Sequence, residues 1–266
     1  MRARSLATIA PGAWGFRLVR TLASWWHLIR FFAIVMVIAL SPSSYKRSNR
    51  ATISRYIYIS TWQVLPWFTA LAALLSVVLI RIVVATALSY GLSQYALQMV
   101  VRVLVLELIP LSAALFVALR SGLAFNAGAA ANNASDRAFS TLRPSLEGLR
   151  GQLLPQVLAD AFSVLALATV SSAIALVLAY LTVHGPSLWG LPGYTRTVGQ
   201  VFDLAVTLGF GMKTLFFSLA VAVVPVAARL EAQGPGASSV TLQPGSVRLF
   251  LVLLLIETTS LVVKYI

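Results

Sequence analysis

Residues 62–85, WQVLPWFTALAALLSVVLIRIVVA, hold one charged side chain, Arg81, in an otherwise apolar run. A helix rises 1.5 Å per residue, so the run exceeds the ~20 residues that cross about 30 Å of hydrocarbon. Residues 97–119, LQMVVRVLVLELIPLSAALFVAL, repeat the pattern with Arg102 and Glu107 as their only charges. The link between the two runs is uncharged, contains Ser89, Tyr90, Gly91 and Gln94, and is short enough for a tight helical hairpin. Three further runs follow, at about 153–183, 201–228 and 249–266. The expected fold is therefore all-α, a polytopic membrane protein of about five transmembrane helices.

Composition supports this reading. Of 266 residues, 59% are hydrophobic and 10% charged, with a mean hydropathy of +0.89, whereas soluble domains carry roughly 25% charged residues. A water-soluble globule is excluded. The chain has no cysteine, and its two histidines, His27 and His184, lie far apart in sequence, so neither a thiolate nucleophile nor a local metal motif is encoded. No metal, cofactor or catalytic residue is expected. The formal charge of +13 would suggest nucleic acid in a soluble protein. In a membrane protein it is first a topological signal, and no nucleic acid partner is expected.

Residues 1–60 carry Arg2, Arg4, Arg17, Arg20, Arg30, Lys46, Arg47, Arg50 and Arg55 with no Asp or Glu. The positive-inside rule places this segment in the cytoplasm. Within it Phe31 to Leu40 is apolar for ten residues only, flanked by Trp25, Trp26 and His27, which reads as an amphipathic interfacial helix and not a span. A signal peptide would need a basic region about thirty residues long and a small-x-small cleavage site after Leu40, which is not evident. Residues 120–152 and 229–248 are the other two basic segments, so five spans leave all three on one side, with the N-terminus cytoplasmic and the C-terminus periplasmic. The chain thus divides into a basic segment, 1–60, and a membrane domain, 61–266.

Charged groups inside spans are costly and mark functional candidates. Arg81, Arg102, Asp203 and Lys264 lie where snorkelling to a headgroup or cavity rim accounts for them. Glu107 and Lys213 lie deeper, which leaves a buried ion pair and a lipid path or cavity as open alternatives. Arg102 and Glu107 are about 140° apart on an α-helix, so each needs a partner elsewhere. Pro110 frees a backbone carbonyl near Leu106 and directs that face toward protein or water, where Arg81 is a candidate counter-charge or phosphate ligand. Small residues at four-residue spacing, Ala118 with Gly122 and Ala124 with Gly128, suggest close helix packing. Gly211-Met212-Lys213-Thr214 lacks the glycine that a phosphate loop needs before its lysine. Asn133-Ala134-Ser135 matches the glycosylation pattern on the expected cytoplasmic side, where it is a chance match.

Glu107-Leu108-Ile109-Pro110 followed by Arg120-Ser121-Gly122-Leu123-Ala124-Phe125-Asn126-Ala127 resembles the motif R-E-L-G-P, then G-R-x-G-x-A-I-A-A-E-L-G, of ABC transporter permeases of the MlaE (YrbE) type. Glu107, Pro110, Arg120, Gly122, Ala124 and Ala127 match. Continued without gaps, the family's cytoplasmic-helix acid falls on Asp136, its D-P pair on Glu147-Gly148, its next basic residue on Arg150 and its next proline on Pro155. Leu65-Pro66, Lys213-Thr214-Leu215-Phe216-Phe217 and Glu257 extend the resemblance over about residues 51–266. The departures are Leu106 and Ile109 in the first motif, with Gly128 and Ala130 in the second.

The resemblance implies a permease subunit that moves phospholipid or a related lipid across the bacterial envelope from the inner membrane. It implies as partners a second permease copy or a paralogous permease, a cytosolic ABC ATPase subunit that hydrolyses the ATP, an MCE-domain periplasmic lipid-binding protein, and membrane lipid. Arg81, Glu107, Pro110 and Lys213 then belong to the lipid path. Arg120, Asp136, Arg137, Glu147 and Arg150 belong to the ATPase coupling region, and Gly122, Ala124 and Gly128 to close packing. The departures favour an alternative, a transport-inactive membrane scaffold or assembly subunit that keeps the permease fold.

Overall fold

In a computed structural model of the chain, residues 47–132, 154–232 and 244–265 are described, together with the helical, exposed positions Arg30, Ala33 and Val37. Apart from those three positions, the expected interfacial helix lies outside the described residues, as do Asp136, Arg137, Glu147 and Arg150. Every regular element among the described residues is a helix. The elements are α1 (Arg47–Ser89), α2 (Ser93–Val100), a π-helical segment (Val101–Leu108), α3 (Ile109–Asn132), α4 (Leu154–His184), a 3-10 turn (Leu188–Gly190), α5 (Leu191–Val201), α6 (Leu204–Ala232) and α7 (Pro244–Tyr265). Five stretches are long and apolar enough to cross a membrane: Ser54–Ser89, Tyr95–Gly122, Pro155–His184, Leu204–Ala228 and Gly245–Lys264.

The expected spans are thus present, with shifted ends. α1 runs unbroken through residue 60, so the boundary expected there is not a break in the backbone. α7 starts at Pro244 rather than 249, a helix start that suits proline, whose missing N–H is not needed there. The fourth span starts at Leu204 rather than 201, because the chain breaks at Phe202 and Asp203 Oδ1 accepts a hydrogen bond from the Leu204 N–H at 2.7 Å. Residues 191–201, between the third and fourth apolar runs, form α5.

The hairpin between α1 and α2 closes through Gly91, at φ +69°. The Gly91 N–H donates to the Leu88 carbonyl at 3.1 Å and the Leu92 N–H to the Ala87 carbonyl at 2.8 Å, the paired bonds of a Schellman cap. Gly185 ends α4 in the same left-handed conformation, its N–H bonded to the Leu181 carbonyl at 3.1 Å. Both turns use glycine because a side chain disfavours positive φ.

Successive spans alternate in direction, so the bundle has two ends. At the basic end Arg120 donates to the Ser60 carbonyl at 2.6 Å, Thr61 and Ser163 share a buried hydroxyl bond of 3.0 Å, and Ser121 donates to Asp160 at 3.3 Å. The far end carries Gly91, Gly185 and α5. There the buried Tyr194 hydroxyl donates to the Leu176 carbonyl at 2.6 Å, and burial pushes the phenol up to about 12, so it stays a donor. Two apolar cores fill the bundle. One, toward the basic end, includes Val64, Phe68, Ala113, Leu167, Phe217 and Leu253. The other, toward the far end, includes Ile80, Val101, Leu104, Ala175, Tyr194 and Val201.

Candidate functional site: an ion cluster between the two cores

Lys213 lies on α6 between Phe210, which packs on the far core, and Phe217, inside the other core. Residues three and four apart share a helix face, so the lysine is carried inward by the spacing that buries the phenylalanines. It is 3% exposed. Its ammonium pairs with Glu107 of the second span, lies 2.7 Å from a Glu257 carboxylate oxygen on α7, and sits 5.7 Å from the Phe217 ring centroid. The other oxygen of Glu107 accepts from the Lys264 ammonium at 2.8 Å. Two carboxylates and two ammonium groups from three spans therefore form one chain of contacts, Lys264–Glu107–Lys213–Glu257, with a formal charge of zero.

The balance matters because a lone charge in hydrocarbon costs about 2.5–3.5 kcal/mol even on insertion scales. Without Lys264 the other three groups would sum to one negative charge. The sequence points to Glu107 and Lys213 but reads Lys264 as snorkelling, and it marks Glu257 as a charged group within a span without giving it a partner. A helical stripe was the available signal: Leu249, Leu253, Glu257 and Lys264 recur at spacings of four, four and seven, which place them on one face of α7. Among the described residues no three His, Cys, Asp or Glu side chains come together as a metal site.

Glu107 sits in the π-helical segment, where the Ile109 N–H bonds back five residues to the Leu104 carbonyl. The π register thus runs up to the residue before Pro110, and Pro110 is the second residue of the following α-helix. Such segments are rare and recur at functional sites. Arg102, in the same segment, is exposed; the separation of about 140° expected of an α-helix does not hold in the π register. Pro110 is buried against the bundle. Arg81 is exposed on α1, and the cations that meet Glu107 are Lys213 and Lys264, so the counter-charge role expected for Arg81 falls to them. Arg120 sits at the basic end, half-buried on the Ser60 carbonyl. Gly122 makes no close approach within the chain, since a Cβ built there meets nothing within 4 Å. Ala124 and Gly128 are helical positions of α3.

A bundle of five membrane-length apolar helices that buries a charge-balanced cluster defines a multi-pass membrane protein with a polar station inside it. The family model for Permease MlaE matches residues 53–262, and the chain belongs to that family, whose members are permease subunits of ABC transporters. Neither a curated protein nor a solved structure gave a match.

Proposed function

We propose that this chain is the membrane subunit of an ABC transporter that moves phospholipid or a related lipid across the bacterial envelope. It sits in the inner membrane with its N-terminus and basic end cytoplasmic and its C-terminus periplasmic. Two permeases, either copies or paralogues, meet in the bilayer. A cytosolic ATPase docks on the basic end around Arg120 and the segment with Asp136, Arg137, Glu147 and Arg150, and an MCE-domain protein receives or delivers lipid at the far end.

The observation that carries this reading is the neutral four-residue ion cluster in a bundle of the permease family. Helices that only need to adhere in lipid do so through small residues and a few hydrogen bonds. Four ionisable groups serve a better purpose as a polar station for a headgroup, with Glu107 and Lys213 at its centre and Pro110 aiming their face inward. Arg81, exposed on α1, is the phosphate ligand in this reading.

Purification of the intact complex from native membranes, followed by mass spectrometry of its proteins and lipids, tests the proposal. An ATPase and phospholipid should accompany the chain. Glu107→Gln should still assemble but retain roughly tenfold less lipid, the change that ~1.4 kcal/mol of binding produces. Loss of assembly in that variant would make Glu107 a structural ion-pair partner. The motif departures at Leu106, Ile109, Gly128 and Ala130 support a second reading, a scaffold without transport, which predicts purification with neither ATPase nor lipid.

A further inference from the structure

The last span is held in two different ways along its length. In the half toward the basic end, Leu249 and Leu253 are buried in the core. Beyond Leu253 no described side chain of α7 is buried, and Ile256 is the last apolar one packed against the core. In lipid there is no hydrophobic drive to press two helices together, so adhesion comes from packing and polar contacts. The far half of α7 has less of the first and adds the second: Glu257 meets Lys213 at 2.7 Å and Lys264 meets Glu107 at 2.8 Å.

The two ion pairs are not equivalent. Lys213 is enclosed, with its side chain 2% exposed, whereas the Lys264 side chain is 18% exposed. Lys264 is also the last residue of a 20-residue span, Gly245–Lys264. At 1.5 Å per residue that places it about 30 Å from the other end, the depth at which lipid headgroups begin. A phosphodiester is an oxyanion like the Glu107 carboxylate and makes equally strong charge-assisted hydrogen bonds to an ammonium. The Lys264 backbone lies near the headgroup layer while its ammonium is drawn inward to Glu107, so the phosphate meets the lysine once its flexible side chain swings outward.

We propose that the Lys264–Glu107 pair is a latch on the end of α7 beyond Glu257 and that Lys264 is a binding point for the phosphate of a membrane lipid, which replaces Glu107 and frees that end while Lys213 still holds Glu257. When Lys264 leaves, Glu107 and Glu257 share Lys213 and carry one net negative charge, which draws Lys264 back when the phosphate departs. The choice of ligand rests on the lipid-permease reading. The latch does not, because removal of the lysine reports on it whether or not lipid is moved.

The cysteine-free chain permits a single spin label at Leu261→Cys, half-buried in the far half, or at Val252→Cys, half-buried near the core. The full chain is placed in nanodiscs of phosphate-free galactolipid, of the same galactolipid with inorganic phosphate in the buffer, or of phosphatidylglycerol. At Leu261 the ratio of fast to slow spectral component should rise about fivefold or more in phosphatidylglycerol, the shift that ~1 kcal/mol of coupling gives, and should stay low in both galactolipid samples. Lys264→Met should show the raised ratio even in galactolipid, and Lys264→Arg should not. The Val252 label should be unchanged throughout.

A Lys264→Met spectrum that stays slow, or one that loosens equally at Val252, overturns the latch. Equal wild-type spectra in galactolipid and phosphatidylglycerol overturn the lipid phosphate as its ligand, a result that does not depend on any variant folding. Opening by inorganic phosphate alone overturns the lipid as the source.

Discussion

Lys213 touches carboxylates from two other spans while being 3% exposed, so its removal leaves Glu107 and Glu257 with one ammonium between them. Breaking a buried pair by deleting one partner costs about 3–5 kcal/mol, because the remaining charge is uncompensated. Lys213→Met is therefore expected to abolish most recovery of folded protein in detergent. The double variant Lys213→Met with Glu257→Gln removes one charge of each sign and should recover most of it. Fluorescence-detected size-exclusion profiles of the two variants check this. Equal loss in both would mean that the lysine contributes packing against Phe217 more than charge. The sequence alone marks Lys213 and Glu107 as costly residues in search of partners. It does not pair them, because the pairing depends on which faces of three separate helices meet.

Small residues do their work on α4 more than on α3. Ala168, Ala175 and Ala179 are each at most 1% exposed, with Ser171 and Ser172 also buried between them. α4 packs extensively on both α1 and α6, and short side chains let those backbones come close. Enlarging Ala175, buried with Ile80 in the far core, should cost about 1–3 kcal/mol through overpacking. Gly122→Ala meets open space within the chain and should be neutral or stabilising by roughly 0.5–1 kcal/mol, since glycine weakens a helix interior. Thermal unfolding of Ala175→Leu and Gly122→Ala in the same detergent compares them. A destabilised Gly122→Ala would place a second chain against that position. Four-residue spacing of small residues is visible in both helices, so spacing alone does not say which stripe meets a neighbour.

For the whole molecule, the basic residues at 1–60, 120–152 and 229–248 predict that one end of the bundle faces the cytoplasm. Single cysteines at Ser135, Ser187 and Ser238 read this out with an impermeant thiol reagent. Ser187, just past the Gly185 cap at the far end, should label from outside in cells whose outer membrane is permeable, and the other two should not. The reverse pattern would invert the topology.

Span number, helical class and the hairpin turn at Gly91 were legible in the sequence because the bilayer imposes a one-dimensional rule: about twenty apolar residues, then polar punctuation. That rule is local, and so it gave the five spans to within several residues at their ends. It missed the helical character of residues 191–201, which is too short and too mixed in composition to register as a span. The π register before Pro110, the joining of Lys264 to Glu107 and the open side of Gly122 were decided only by the tertiary structure. Each depends on the relative rotation and height of helices remote in sequence. In hydrocarbon those are set by the few contacts that pack tightly or balance charge, such as Lys213 with Glu257 and Thr61 with Ser163, and no single segment of the sequence contains both members of such a pair.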